Sequence, residues 1–90
     1  MFICLKVGLG TDCSGGFSPS MLNSMRMSVM ASNSLTFSRP GYEPLQYSDA
    51  LYLATRGSAN ILDMDSIGAL NVGMQADIIL VDMQGGFCFD

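Results

Sequence analysis

The sequence feature that most constrains the fold is a nearly continuous apolar run at residues 2–9, which ends in a glycine-rich loop. Its residues are apolar and favour β-structure, so the run predicts a strand buried on both faces, as in a parallel sheet covered by helices. Lys6 interrupts the run, which is far shorter than the roughly 20 residues that span a bilayer. We therefore expect no membrane association and a cytoplasmic protein.

A helix is predicted over residues 19–32, after the loop at 10–17. Ser18 is the expected N-cap, and Pro19 suits the first helical position because its missing N–H is not needed there. Strand, loop and helix then make one β/α unit. The expected core face of the helix is a methionine-rich stripe at helical spacing: Met21, Leu22, Met25, Val29 and Met30.

A second helix is predicted after a loop at residues 33–46, which contains two prolines. Ser48 is its expected N-cap and Asp49 suits its first turn, while Arg56 suits its last turn and Gly57 its end. Downstream, the pattern predicts a short helix and then two strands separated by turn residues, at 58–62, 67–70 and 76–82.

Composition and residue counts exclude several classes of function. The chain has no histidine, which excludes a Ser-His-Asp triad or a histidine metal cage within it. Four basic residues against eight acidic ones, with no basic run, make nucleic acid an unexpected partner. Cys4, Cys13 and Cys88 lack CxxC spacing, so no zinc knuckle is implied. A charged fraction of only 13% in 90 residues resembles an interior cut from a larger protein.

Asp12 is the candidate functional residue, because it follows the predicted strand at its carboxyl end, where parallel β/α proteins collect ligands and catalytic groups. The alternative is an Asx turn that only organises the loop. Cys13 occupies the third glycine position of a dinucleotide fingerprint, so that function is not expected. Ser14 and Ser18 are expected to be loop and cap residues, since the chain offers no base to activate them. Four other aspartates are expected to be solvated: Asp63, Asp65, Asp77 and Asp82.

Two stretches resemble a known family. Residues 7–22 read Val-Gly-Leu-Gly-Thr-Asp-Cys-Ser-Gly-Gly-Phe-Ser-Pro-Ser-Met-Leu, which resembles the segment around the last metal ligand in guanine deaminases of the amidohydrolase superfamily. Downstream, residues 50–57, 67–73 and 76–82 resemble the exit of that superfamily from its barrel into a small β-sandwich. The tail after Asp82 does not resemble the family.

The resemblance implies an α/β fold, the last β/α unit of a (β/α)8 barrel at residues 1–66 and the start of a composite β-sandwich with a tail at 67–90. In that family a bound zinc ion activates the water that converts guanine to xanthine and ammonia. Asp12 matches the aspartate that binds the metal and hydrogen-bonds the attacking water, so it is the expected catalytic and metal-binding residue. Family members are expected to be homodimers.

The family's other metal ligands, which are histidines, and its acid/base glutamate lie on strands that this sequence does not contain. One carboxylate is not a zinc site, because catalytic zinc takes about three protein ligands. The chain is therefore expected to be inactive alone and to derive from a truncated gene model, a partial gene or a pseudogene. Two alternatives stay open: a non-catalytic interaction fragment, or a piece of an amidohydrolase that acts on a related heterocycle.

Overall fold

The computed structural model describes residues 5–82 and residue 84, and every regular element in that part of the chain is helical. The elements are α1 (Met21–Ser34), a 3₁₀ turn (Leu35–Phe37), α2 (Tyr47–Tyr52), a π-helical turn (Leu53–Gly57) and α3 (Ser58–Ile61). The last three follow one another without a break and are called the second helical segment below. Helix α1 packs against α2. None of the helices in this part of the chain has the length and apolar character that a membrane span requires.

Helix α1 begins two residues later than predicted, because Ser20 rather than Ser18 is its N-cap. Ser20 has an extended backbone, and its Oγ accepts the N–H of Asn23 at 3.3 Å, the bond that a cap makes to the first turn. The hydroxyl of Ser18 instead accepts the N–H of Ser20 at 3.2 Å. Pro19 consequently lies before the helix and not at its first position.

The second helical segment, in contrast, begins earlier than predicted. Gln46 is the N-cap and donates its N–H to the Asp49 carboxylate at 2.8 Å, so the prediction of Ser48 as the cap is wrong and that of Asp49 in the first turn is confirmed. Gly57 does not end the helix, because its φ is −60° rather than the positive value of a terminating glycine. The helix predicted over 58–62 is observed as α3, joined to α2 through the π-helical turn.

The core between α1 and the second helical segment is small. Its buried apolar residues are Val29, Ala50 and Ala59, and none of them is a large side chain. The predicted stripe on α1 is buried at Val29, whereas Leu22 and Met30 are 58% and 57% exposed. The part of the chain described here therefore leaves most of its large apolar side chains in contact with solvent.

A buried serine fastens the proline-containing loop to α1. Ser32 is 6% exposed, and its Oγ lies 2.9 Å from the Tyr42 hydroxyl and accepts the N–H of Leu45, also at 2.9 Å. Because a buried hydroxyl is costly without partners, this pair of bonds explains how a polar residue is accommodated in the helix interface. The loop predicted over 33–46 is partly helical, because α1 continues to Ser34 and a 3₁₀ turn follows at Leu35–Phe37. Residues 38–46 then lead into α2.

The segments predicted as strands form no strand within the described residues. Residues 2–4 of the first lie outside them, while residues 5–9 run along the second helical segment. A strand requires a neighbouring strand for its backbone bonds, and the N–H of Leu9 instead donates to the carbonyl of Leu53. Between the predicted strands at 67–70 and 76–82, the N–H of Gln75 donates to the Ser66 carbonyl at 2.8 Å and closes a turn, without a ladder.

Candidate functional site

Asp12 lies in a tight loop between the segment 5–9 and helix α1. Asp12 has a φ of 49° and Ser14 a φ of 68°, both in the left-handed region that few non-glycine residues adopt. The carbonyl of Asp12 accepts the N–H of Gly16 and closes the turn. A Cβ on Gly16 would lie 1.9 Å from the carbonyl oxygen of Thr11, so the turn requires glycine there.

The carboxylate of Asp12 is exposed and lies over Gly15, where a Cβ would stand 2.7 Å from Oδ2. Among the described residues, no hydrogen bond to this carboxylate is formed, and the turn is closed by the Asp12 main-chain carbonyl instead. The geometry therefore does not require the side chain as an Asx-turn acceptor. It leaves the Asp12 carboxylate exposed to solvent.

The described residues do not by themselves form a metal site. Within the described part, no three His, Cys, Asp or Glu side chains come together in a way that could hold a metal ion. Cys13, beside Asp12, is an exposed free thiol, and Cys4 and Cys88 lie outside the described residues. Because catalytic zinc takes about three protein ligands, Asp12 can contribute one ligand of such a site and not the whole site.

The four aspartates predicted to be solvated are exposed: Asp63, Asp65, Asp77 and Asp82. Two of them make long ion pairs at the surface: Asp63 with Lys6 at 3.9 Å and Asp65 with Arg56 at 3.8 Å. Both of these carboxylates are 92% exposed, so such pairs contribute little to stability. None of the four is brought to the Asp12 loop to complete a site.

A cluster of contacts that the sequence pattern does not predict joins Leu9, shortly before the Asp12 loop, to the second helical segment. The carbonyl of Leu53, at the start of the π-helical turn, accepts the N–H of Leu9 at 3.1 Å. The Ser58 hydroxyl lies 2.7 Å from the same oxygen and 3.3 Å from the carbonyl oxygen of Leu9. A Cβ on Gly8 would stand only 2.5 Å from Ser58 Oγ. A glycine inside a predicted strand is the signal for such a close approach.

The sequence pattern of the amidohydrolase family matches residues 4–88, and the chain belongs to that family. Within the family the chain is guanine deaminase-like. It is 40% identical over 79 residues to guanine deaminases of Dictyostelium discoideum and Homo sapiens, which covers 87% of this chain. It is also 40% identical over 80 residues to a 5-methylthioadenosine/S-adenosylhomocysteine deaminase of Pelotomaculum thermopropionicum.

The chain spans less than a fifth of the length of these relatives. The matched region is 18% of the Dictyostelium protein, 17% of the human protein and 18% of the Pelotomaculum protein. The similarity therefore concerns one segment of each relative. It agrees with the resemblance of residues 7–22 to guanine deaminases, and membership of this family favours a metal cofactor in general.

Proposed function

We propose that this chain supplies the Asp12 segment of a guanine deaminase-like active site. In the reaction, water adds to the carbon of guanine that bears the amino group, the carbon–nitrogen bond breaks, and xanthine and ammonia result. The observation that carries the proposal is the exposed Asp12 carboxylate on a glycine-closed loop, inside the segment that matches the family. The position also follows the segment predicted as a barrel strand, where catalytic groups collect.

In the proposed site Asp12 is both a metal ligand and the group that receives a proton from the attacking water. Zinc is the metal that the resemblance implies, and it supplies water of lowered pKa when bound. The remaining ligands have to come from protein outside this sequence, because it contains no histidine. We therefore expect no turnover from the chain alone.

The proposed function includes a barrel and a β-sandwich to which this chain contributes. Residues 1–66 form the last β/α unit of a (β/α)8 barrel, and residues 67–90 begin the flanking β-sandwich. In that setting the segment 5–9 gains strand neighbours on both sides, which its apolar composition favours. A cytoplasmic homodimer, without nucleic-acid or membrane partners, is the assembly we expect.

The test uses a completed enzyme, in which this chain replaces the matching segment of one of the guanine deaminases described above. Asp12→Asn keeps the size of the side chain and tolerates the left-handed backbone, while it removes the charge that accepts the proton. We expect turnover of guanine to fall at least about a hundredfold, with an unchanged melting temperature. Steady-state kinetics and thermal melting measure both effects.

Asp63→Asn is the matched control, because Asp63 is also exposed and has a φ of 54°. It undergoes the same change of charge on the same kind of backbone and should leave turnover within about twofold of the parent, as surface changes do. Asp12→Ala should in addition lower the metal content measured by mass spectrometry of the purified enzyme. An Asp12→Asn enzyme with near-parental turnover would contradict the proposal and favour the Asx-turn alternative.

A second candidate substrate class is an aminopurine nucleoside. The similarity to the Pelotomaculum deaminase of 5-methylthioadenosine and S-adenosylhomocysteine favours it, since the identity is the same 40% over 80 residues. Ammonia release by the completed enzyme from guanine and from 5-methylthioadenosine, compared in parallel, decides between the two. A higher kcat/KM for the nucleoside would replace guanine as the proposed substrate.

A further inference from the structure

We propose that Ser58 is a positioning residue for Asp12, because it fastens the segment that carries the candidate carboxylate to the π-helical turn of the second helical segment. The inference rests on the proposed function of Asp12 and adds a residue that is distant in sequence. In the proposed site, Ser58 touches neither the carboxylate nor any reacting atom. It acts through the backbone of Leu9.

Two contacts converge on the carbonyl oxygen of Leu53. The N–H of Leu9 donates to it at 3.1 Å, and the Ser58 hydroxyl lies 2.7 Å away. The same hydroxyl is 3.3 Å from the carbonyl oxygen of Leu9, so its single proton can be shared between these two carbonyl oxygens. Ser58 therefore bridges the carbonyl oxygens of Leu53 and Leu9, and both of these contacts are partly buried.

Glycine makes this bridge possible from both sides. A Cβ on Gly8 would lie 3.0 Å from the Cα of Ser58, and a Cβ on Gly57 would lie 3.3 Å from the carbonyl oxygen of Val7. The two backbones thus cross at a distance that larger residues would prevent. The π-helical turn at Leu53–Gly57 forms one side of the crossing, and such turns occur frequently at functional sites.

The bridge is the last anchor before Asp12. Gly10 follows Leu9, and a Cβ placed on Gly10 would meet nothing within 4 Å. On the far side the loop is next held by Ser18 and Ser20 at the start of α1. The loop itself is closed internally by the Gly16 N–H. The position of the Asp12 carboxylate relative to the helices therefore depends on how firmly Leu9 is held.

The experiment compares Ser58→Ala and Ser58→Thr in the completed enzyme. Ser58→Ala removes the bridging hydroxyl, and Ser58→Thr keeps it. We expect Ser58→Ala to lower kcat about three- to tenfold with little change in KM, the effect of losing one hydrogen bond that positions a reacting group, and Ser58→Thr to restore most of it. Deuterium exchange of the peptide 5–12, followed by mass spectrometry, should be at least about threefold faster in Ser58→Ala.

Ser28→Ala is the matched control. Ser28 is also partly buried and helical, and its hydroxyl donates to the Met25 carbonyl at 2.7 Å, far from Leu9 in the sequence. It loses a similar bond and should change neither kcat nor the exchange of peptide 5–12. A comparable loss of turnover in Ser28→Ala would make the effect general stability and would overturn the inference.

The outcomes separate this inference from the proposed function. Parental turnover in Ser58→Ala, or failure of Ser58→Thr to rescue, rejects Ser58 as a positioning residue while the role of Asp12 stands. Unchanged deuterium exchange in Ser58→Ala rejects the bridge itself, whether or not the enzyme is active. Faster exchange in an enzyme whose turnover survives Asp12→Asn supports the bridge and rejects the catalytic role of Asp12.

Discussion

Gly16 is the position at which the Asp12 loop tolerates a side chain least. A Cβ there would lie 1.9 Å from the Thr11 carbonyl oxygen, which is backbone and cannot rotate away. The Gly16 N–H also closes the turn on Asp12. We expect Gly16→Ala to destabilise the completed enzyme by about 1–3 kcal/mol, as overpacking does, measured as a lower midpoint of denaturant unfolding.

Gly10→Ala provides the comparison within the same loop. Its Cβ would meet nothing within 4 Å, and its φ is not positive. We therefore expect a change within about 0.5 kcal/mol, typical of an unrestrained surface site. Equal destabilisation by the two alanines would mean that the loop is sensitive to any loss of glycine, and the contact with Thr11 would not be the cause.

Arg56 joins the second helical segment to the turn that follows it. Its Nη1 donates to the carbonyls of Asp65 and Ile67, both at 2.9 Å. Gly68, with a φ of 87°, packs against the Arg56 backbone, where a Cβ would lie 3.0 Å from its Cα. A guanidinium reaches both carbonyls from one group, which an ammonium on a flexible stem does less well.

We expect Arg56→Lys to increase the deuterium exchange of the turn at residues 65–68. Arg26→Lys is the control and should increase the exchange of every segment less, because Arg26 is exposed on α1. Deuterium exchange of the peptide covering 65–68 should become up to about tenfold faster, equivalent to one charged hydrogen bond of roughly 1.4 kcal/mol. Unchanged exchange would show that the two ordered carbonyls do not depend on the guanidinium.

The existence of each helix was predictable from the sequence, whereas their ends and their packing were not. The apolar spacing around Val29 identified α1, and Asp49 identified the first turn of α2. The cap at Ser20 was missed because three serines with similar capping ability lie near one another, at 14, 18 and 20. Gly57 does not end the helix as predicted, because the sequence does not distinguish a glycine required by a close backbone contact from one required by a positive φ.

For the candidate site, the local pattern proposes Asp12, which stays a prediction, and it does not indicate Ser58. Asp12 stands in a glycine-rich loop after an apolar run, and both features are adjacent in sequence. The bridge from Ser58 to Leu9 joins residues 49 positions apart, and a single sequence carries little information about such pairs. The predicted strands are not observed in the described residues for a related reason, because strand formation depends on neighbouring strands that those residues do not provide.

The chain is expanded, and its described residues enclose only a small core. Its radius of gyration is 15.4 Å, compared with about 12 Å for a compact domain of this length. Phe17, Phe37 and Leu80 are 90%, 92% and 97% exposed. The buried apolar residues, Val29, Ala50 and Ala59, are small or medium in size, so little hydrophobic stabilisation opposes the conformational entropy of unfolding.

We therefore expect the isolated 90-residue chain to unfold without a cooperative transition and to bind a hydrophobic dye. In the completed enzyme the same residues should unfold within the main transition. Differential scanning calorimetry measures the unfolding of both proteins, and the fluorescence of the dye measures its binding. A sharp transition of the isolated chain, with an enthalpy near 0.7 kcal/mol per residue, would show that the chain is a domain in its own right.

The left-handed backbone of Asp12 narrows which substitutions are accessible at this position. Asparagine and glycine adopt that conformation readily, whereas glutamate would meet a conformational penalty of about 1–2 kcal/mol, although it carries the same charge and can also bind metals. Exchange for the other acidic residue is thus disfavoured by the main chain. Conversion to a neutral amide is not, so a lineage could lose the charge at residue 12 in one step without disturbing the loop.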